Sequence, residues 1–201
     1  MDEMTGEIAQ CRFLVFDLEM TGLSPDNDSI IEIGSVPLTG LTIDGDYFFT
    51  AVQPYTDVHA ESKRIHGLDG DQLWQAPPAE VALPQFFKLI QGRILIGQKP
   101  ELDLAFLWMA AKIVGGNIPH DWAIDISRIF KNVYPDQNFF SLDAMARRVG
   151  LNKRDEVHNA LEDAILTAKI LGRIMPRLQK MGIFNAKELI SIGKTRMTSF
   201  R

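Results

Sequence analysis

Asp17 and Glu19 close an apolar run, Phe13-Leu14-Val15-Phe16, whose content reads as a buried strand. On a strand a two-residue spacing turns both carboxylates to one face. Two such groups repel each other unless something neutralises them, and a hard divalent cation such as Mg2+ takes oxygen donors of this kind. Taken alone, the pair reads equally as a strand end meeting solvent. A second group of residues weighs against that reading. His158 and Asp163 stand in HNALEDA, at the head of a segment with apolar residues at Leu161, Ala164, Ile165, Ala168, Ile170 and Leu171, which is helical spacing. A five-residue separation is about 140° of helix rotation, so the two side chains would not stack within one regular helix. The imidazole must reach in from the irregular N-terminal end. Different jobs fit this arrangement: the aspartate as a metal ligand, the imidazole as a base toward an attacking water. Glu162, an acid in the same motif, is expected to be a solvated helix residue.

The segment Thr21-Gly22-Leu23-Ser24-Pro25 reads as a turn directly after the first two acids, offering backbone amides, a hydroxyl and an apolar side chain beside the proposed metal. A fifth residue, Asp103 in ELDLAFL, by itself reads as an acid near a helix N-terminus, where it interacts with the macrodipole.

With Asp17, Glu19, Thr21 and Gly22 in one motif, and His158, Ala160 and Asp163 in the order His-x-Ala-x-x-Asp, the chain resembles the DEDDh branch of the DEDD 3′-to-5′ exonuclease superfamily. That branch includes the proofreading subunit of bacterial DNA polymerase III, ribonuclease T and oligoribonuclease. The resemblance runs from about Arg12 to Ile174, including Ile30-Ile31-Glu32-Ile33-Gly34, Ile65-His66-Gly67-Leu68 and Trp122-Ala123-Ile124-Asp125. His66 and Asp125 lie outside the metal set and read as structural. In the second motif the branch commonly has His-Asn-x-x-Phe-Asp before Phe-Leu, whereas this chain has Gln98-Lys99-Pro100-Glu101-Leu102-Asp103 before Phe106-Leu107. The ligand survives while the polar pair and the aromatic change, which bears on contacts to the 3′ nucleotide.

The resemblance implies a ribonuclease H-like α/β fold and a metal-dependent 3′-to-5′ exonuclease that releases nucleoside 5′-monophosphates from single-stranded or frayed 3′ ends, with DNA slightly favoured over RNA. It implies that Asp17, Glu19, Asp103 and Asp163 hold two Mg2+ or Mn2+ ions roughly 4 Å apart, with His158 as the general base. Met20, Thr21, Gly22, Leu23 and Phe106 would contact the terminal nucleotide. Two alternatives stay open: an exoribonuclease acting on RNA ends or short oligoribonucleotides, and an exonuclease fold retained without catalysis as a docking module. Loss of any one of the four acids would favour the second, and all four are present.

Length and composition agree with one soluble domain. At 201 residues and 46% hydrophobic, the chain can bury one substantial core. No apolar stretch approaches the roughly 20 residues of a membrane span, the acidic N-terminus lacks the parts of a signal peptide, and a single Cys11 excludes an intramolecular disulfide. A cytoplasmic protein is expected. The net charge of -5 argues against a long electrostatic footprint on nucleic acid. Charge is uneven, however: from Arg173 to Arg201 seven Lys or Arg face only Glu188, a local balance of +6. The sequence therefore divides into an N-terminal extension over residues 1–11, an exonuclease domain over 12–176 and a basic tail over 177–201. That tail is expected to be solvated and to offer a contact for a DNA polymerase or another replication or repair protein.

Strands are expected near residues 12–20, 30–38 and 47–52, as an antiparallel meander. Helix is expected over 79–91, strand over 93–97 and helix from Asp103 to Val114, ended by Gly115-Gly116-Asn117. A strand over 122–126, short helices ending near 132 and 149, and a long helix after His158 follow. A small final helix would have Asn185 as its N-cap.

Overall fold

The computed structural model describes residues 6–68, 70–138, 140–152 and 159–197. Among them, seven strands form one mixed sheet: β1 (Arg12–Met20), β2 (Ile30–Thr39), β3 (Thr42–Ile43), β4 (Phe48–Ala51), β5 (Ile94–Gly97), β6 (Trp122–Asp125) and β7 (Lys194–Arg196). Their order is β3-β2-β1-β5-β6-β7, with β4 also pairing with β2. The meander β1-β2 is antiparallel, and β5 and β6 run parallel to β1. The helices are α1 (Ala60–His66), α2 (Gly70–Leu73), α3 (Ala79–Leu89), α4 (Glu101–Val114), α5 (Ile126–Val133), α6 (Leu142–Arg148), α7 (Ala160–Lys180) and α8 (Ala186–Gly193).

Strand alternation decides which layer each residue of β1 joins. Leu14, Phe16 and Leu18 face a core built with α3 and α4, whereas Phe13 and Val15 face a core built with α5 through α8. Both faces of the strand are therefore covered, which explains why its sequence reads as a continuous apolar run. Asp17 and Glu19 continue the series of Phe13 and Val15, so they open toward the α7 layer at the C-terminal end of the strand.

The expected elements and the mixed, helix-covered sheet are present, with boundaries shifted by one or two residues except at the end of the long helix. Gly115 caps α4 in the left-handed region at φ 71, and α7 extends through Pro176 to Lys180. The segment from 177 onward differs from the solvated tail expected of its charge. Asn185 and Glu188 form a reciprocal capping box at the start of α8, whose Ala186 and Leu189 are buried in the core. β7 then adds an antiparallel edge to β6. The apolar residues interleaved with the basic ones are what fold this segment onto the sheet. The short elements β3, α1, α2 and β7 carry no clear period, and the sequence reading leaves them out.

Candidate active site

Three acids meet at the C-terminal edge of β1. One ligand oxygen from each of Asp17, Glu19 and Asp163 lies within 4.8 Å of the other two, although Asp163 is 144 residues beyond Glu19. Glu19 and Asp163 are buried, Asp17 half-buried. Oxygen donors gathered this closely suit a hard divalent cation, whose charge would relieve their mutual repulsion.

The approach of α7 to the sheet makes this meeting possible. Gly34 pairs with Asp17 across the β1-β2 ladder, and a Cβ built on Gly34 would stand 2.2 Å from the carbonyl carbon of Ala160 and from the amide nitrogen of Leu161. Only a residue without a side chain lets the first turn of α7 lie there. Gly34→Ala is therefore expected to push α7 outward. Overpacking of about 1–3 kcal/mol predicts a melting temperature lower by about 3–10 °C. Displacement of Asp163 should lower activity at least about 10-fold, and a thermal melt with an activity assay checks both.

Glu32, two residues before Gly34 and directly opposite Glu19, is the acid that the sequence reading did not single out. It is buried, and burial raises its pKa while the Ala160 backbone N–H lowers it. Its Oε2 accepts from Ala160 N–H and Asn159 Nδ2, both at 3.4 Å, so it holds the head of α7 against β2. Asn159 caps that helix, its Oδ1 accepting from Leu161 N–H at 3.1 Å and Glu162 N–H at 3.2 Å. The signal for Glu32 was present: an acid inside the apolar run Ile30 to Ile33. The signal for the cap was Asn159 three residues before Glu162. Glu162 is exposed, as expected of it. His158 lies outside the described residues.

Asp103 arrives from the opposite layer. It stands in the first turn of α4, a helix packed on the Leu14 and Phe16 face of the sheet. It can thus meet the other acids only over the sheet edge, and it is not one of the three clustered at 4.8 Å. Burial, then the neighbouring Glu101 carboxylate, pushes its pKa from 3.8 up to about 8. With metal chelated, the folded protein keeps this proton up to about pH 8 while the unfolded chain releases it above about pH 4. The stability this group contributes is therefore full below about pH 4 and is lost as pH rises toward 8. Asp103→Asn, which has no proton to lose, should match the parent near pH 4 and melt higher than it near pH 8 in chelator. Added Mn2+ should reverse the order, because only the parent then offers a carboxylate; melts at the two pH values with and without metal test this.

The loop before Asp103 carries the residues that depart from the family motif. Lys99 adopts φ 53, a left-handed conformation uncommon outside glycine, and its N–H donates to Asp125 Oδ1 at 3.0 Å. Gln98 Nε2 donates to the Phe140 carbonyl at 3.2 Å. Asp125 also caps α5 by accepting from Ser127 N–H at 2.8 Å. These three residues fix the entry to α4. His66 is buried and accepts from Leu68 N–H at 3.0 Å through Nδ1.

The turn after β1 is held by Asp28, whose carboxylate is 3% exposed. It accepts from the Thr21 hydroxyl at 3.0 Å and from Ser24 N–H at 2.9 Å, with His59 Nε2 at 3.5 Å. Thr21 is fully buried and also accepts from Ser29 N–H at 2.9 Å. Its hydroxyl thus organises the turn, and Gly22 packs beneath it against Asp28 and His59. Leu23, on the same turn, is left 73% exposed. Met20 is half-buried and Phe106 buried, both packed into the α3-α4 core.

The exonuclease family of the ribonuclease T type matches residues 14–171. A PolC-type DNA polymerase III of Caldanaerobacter subterraneus is 33% identical over 180 residues, which are 90% of this chain and 13% of that protein. The DNA polymerase III subunit epsilon of Aquifex aeolicus is 28% identical over 176 residues, 88% of this chain and 86% of that one. The chain thus spans about an eighth of its PolC-type relatives and nearly the whole of that epsilon subunit. E. coli exonuclease I in complex with a dT13 oligonucleotide shares the fold at a TM-score of 0.77 and 14% identity, over 86% of this chain and 43% of that one. A 3′-exonuclease solved with a histone mRNA stem-loop does so at 0.69 and 22%, over 86% and 65%. With the family matched across most of its length and the ribonuclease H-like sheet in common, the chain belongs to the exonuclease family that contains the DNA polymerase III proofreading domains.

Proposed function

We propose that the protein is a metal-dependent 3′-to-5′ exonuclease acting on single-stranded or frayed 3′ ends, preferentially of DNA. The observation that carries this reading is the meeting of Asp17, Glu19 and Asp163 within 4.8 Å. Retention of Asp103 as the fourth acid argues against a docking module without catalysis. The DNA preference is supported by the DNA polymerase III names of the relatives. A histone mRNA stem-loop on a structural neighbour keeps RNA as the second reading.

In this reading Asp17, Glu19, Asp103 and Asp163 hold two Mg2+ or Mn2+ ions. When bound, the ions supply Lewis acidity at the attacking water and at the departing oxygen. His158 accepts the proton of the water as its oxygen bonds to the terminal phosphorus. The bond from phosphorus to the 3′ oxygen of the preceding nucleotide breaks, that oxygen takes up a proton, and a nucleoside 5′-monophosphate leaves. Leu23 wedges against the terminal base, a contact any base can make, on a turn kept rigid by Thr21 and Asp28. The family includes regions of much longer polymerases, so a replication or repair polymerase is the proposed partner, in the cytoplasm. No described helix is long and apolar enough to cross a membrane.

A strand labelled at its 5′ end, incubated with Mg2+, Mn2+ or chelator, tests the reading. It should shorten as a ladder only with metal, a 3′-terminal phosphate should slow it, and DNA should outpace RNA. Cleavage within a closed circular strand would contradict the exonuclease assignment.

A further inference from the structure

Lys169, Arg173, Arg177 and Lys180 follow one another along α7 at steps of four, four and three residues, and all are exposed. This spacing places them in one stripe on the outer face of the helix. Among the described ion pairs, none involves these four side chains. Like charges at this spacing destabilise a helix by about 0.2–0.5 kcal/mol per pair. The last-turn pair Arg177 and Lys180 is offset by the negative end of the helix macrodipole, but Lys169 and Arg173 stand too far from that end to benefit. A second helix joins the stripe. Arg147 and Arg148 are exposed in the last turn of α6, and the guanidinium carbons of Arg148 and Arg177 lie 4.8 and 4.6 Å from the centre of the same Tyr134 ring. Arg148 also pairs with Asp136 at 3.2 Å. Tyr134 thus binds the two sets into one face with a net positive charge, in a chain whose overall charge is -5.

The direction of α7 gives this face its meaning. The helix starts at the acid cluster through Asp163, and the stripe begins about 9 Å farther along the axis and runs for about 17 Å. At the 3.4 Å rise that each strand has in a stacked helix, that length spans about five nucleotides. We infer that the outer face of α7, with the end of α6, is a docking surface for the phosphodiester backbone of the strand whose 3′ end occupies the acid site. The inference rests on the nuclease reading for its choice of partner. It assigns grip on the body of the strand to residues remote from the chemistry. Four or five backbone contacts would hold the substrate between successive cuts without reading sequence.

The test compares the parent with the triple variant Lys169→Gln, Arg173→Gln, Lys180→Gln, which leaves Arg177 on Tyr134. Anisotropy of labelled 30-nucleotide DNA and RNA is measured in chelator, where no cutting occurs, over a range of salt. Removing three phosphate contacts should flatten the slope of log affinity against log salt by about 2 for a single strand and weaken binding at least about 10-fold at low salt. With Mn2+, cutting of a four-nucleotide substrate should stay within about 2-fold of the parent, while the 30-nucleotide substrate shows a raised KM. Unchanged affinity and slope for both nucleic acids would overturn the inference, and loss of binding to a polyglutamate peptide alongside would assign the face to an acidic protein instead. If neither protein cuts any oligonucleotide but the slope still flattens, the nuclease reading fails while the docking surface stands.

Discussion

Asp17→Ala, in protein shown by circular dichroism to remain folded, is expected to lower oligonucleotide cleavage about 10³-fold or more, since metal-ion stabilisation of several kcal/mol is at stake and each 1.36 kcal/mol is tenfold in rate. Asp163→Ala should do the same. Each substitution removes one corner of the group that meets within 4.8 Å and leaves three of the four proposed ligands, too few to hold two cations firmly. The fold should survive, because Asp17 stands at the rim of a strand whose neighbours Phe13, Leu14, Val15 and Phe16 remain fully buried. Titration of Mn2+ by calorimetry should show weakened binding in both variants. A folded variant that degrades a 5′-labelled strand at close to the parental rate would remove the basis of the metal assignment.

His158→Ala should reduce turnover by about 10²-fold or more and leave Mn2+ binding nearly unchanged, because the four carboxylates remain. This split between turnover and metal affinity distinguishes a proton acceptor from a ligand. If calorimetry instead shows a large loss of Mn2+ binding in the variant, His158 coordinates metal and its assignment as a base must be withdrawn.

Periodicity and composition were enough to reveal the strand that carries Asp17 and Glu19, the helix that carries Asp163 and the layered α/β arrangement. Each of these rests on local physics: alternation on a strand, the 3.6-residue repeat on a helix, Gly115 as a left-handed cap. The acids were legible for a related reason, since charged groups at the end of an apolar run are costly without a partner. What the spacing could not give is how the layers meet. That Gly34 clears the space for α7, that Glu32 ties strand to helix across more than 120 residues, and that Asp103 comes from the other side of the sheet all depend on contacts between segments remote in the chain. The basic C-terminal segment teaches the same lesson. Counted by charge it reads as a solvated tail, yet Ala186 and Leu189 bury themselves in the core and Thr195 pairs with Ala123 at the sheet edge. Sequence by itself marked the candidate residues and the elements that carry Asp17, Glu19, Asp103 and Asp163. The tertiary structure alone decided which of them come within reach of one cation, because that distance is set by the packing of helix on sheet and not by any interval along the chain.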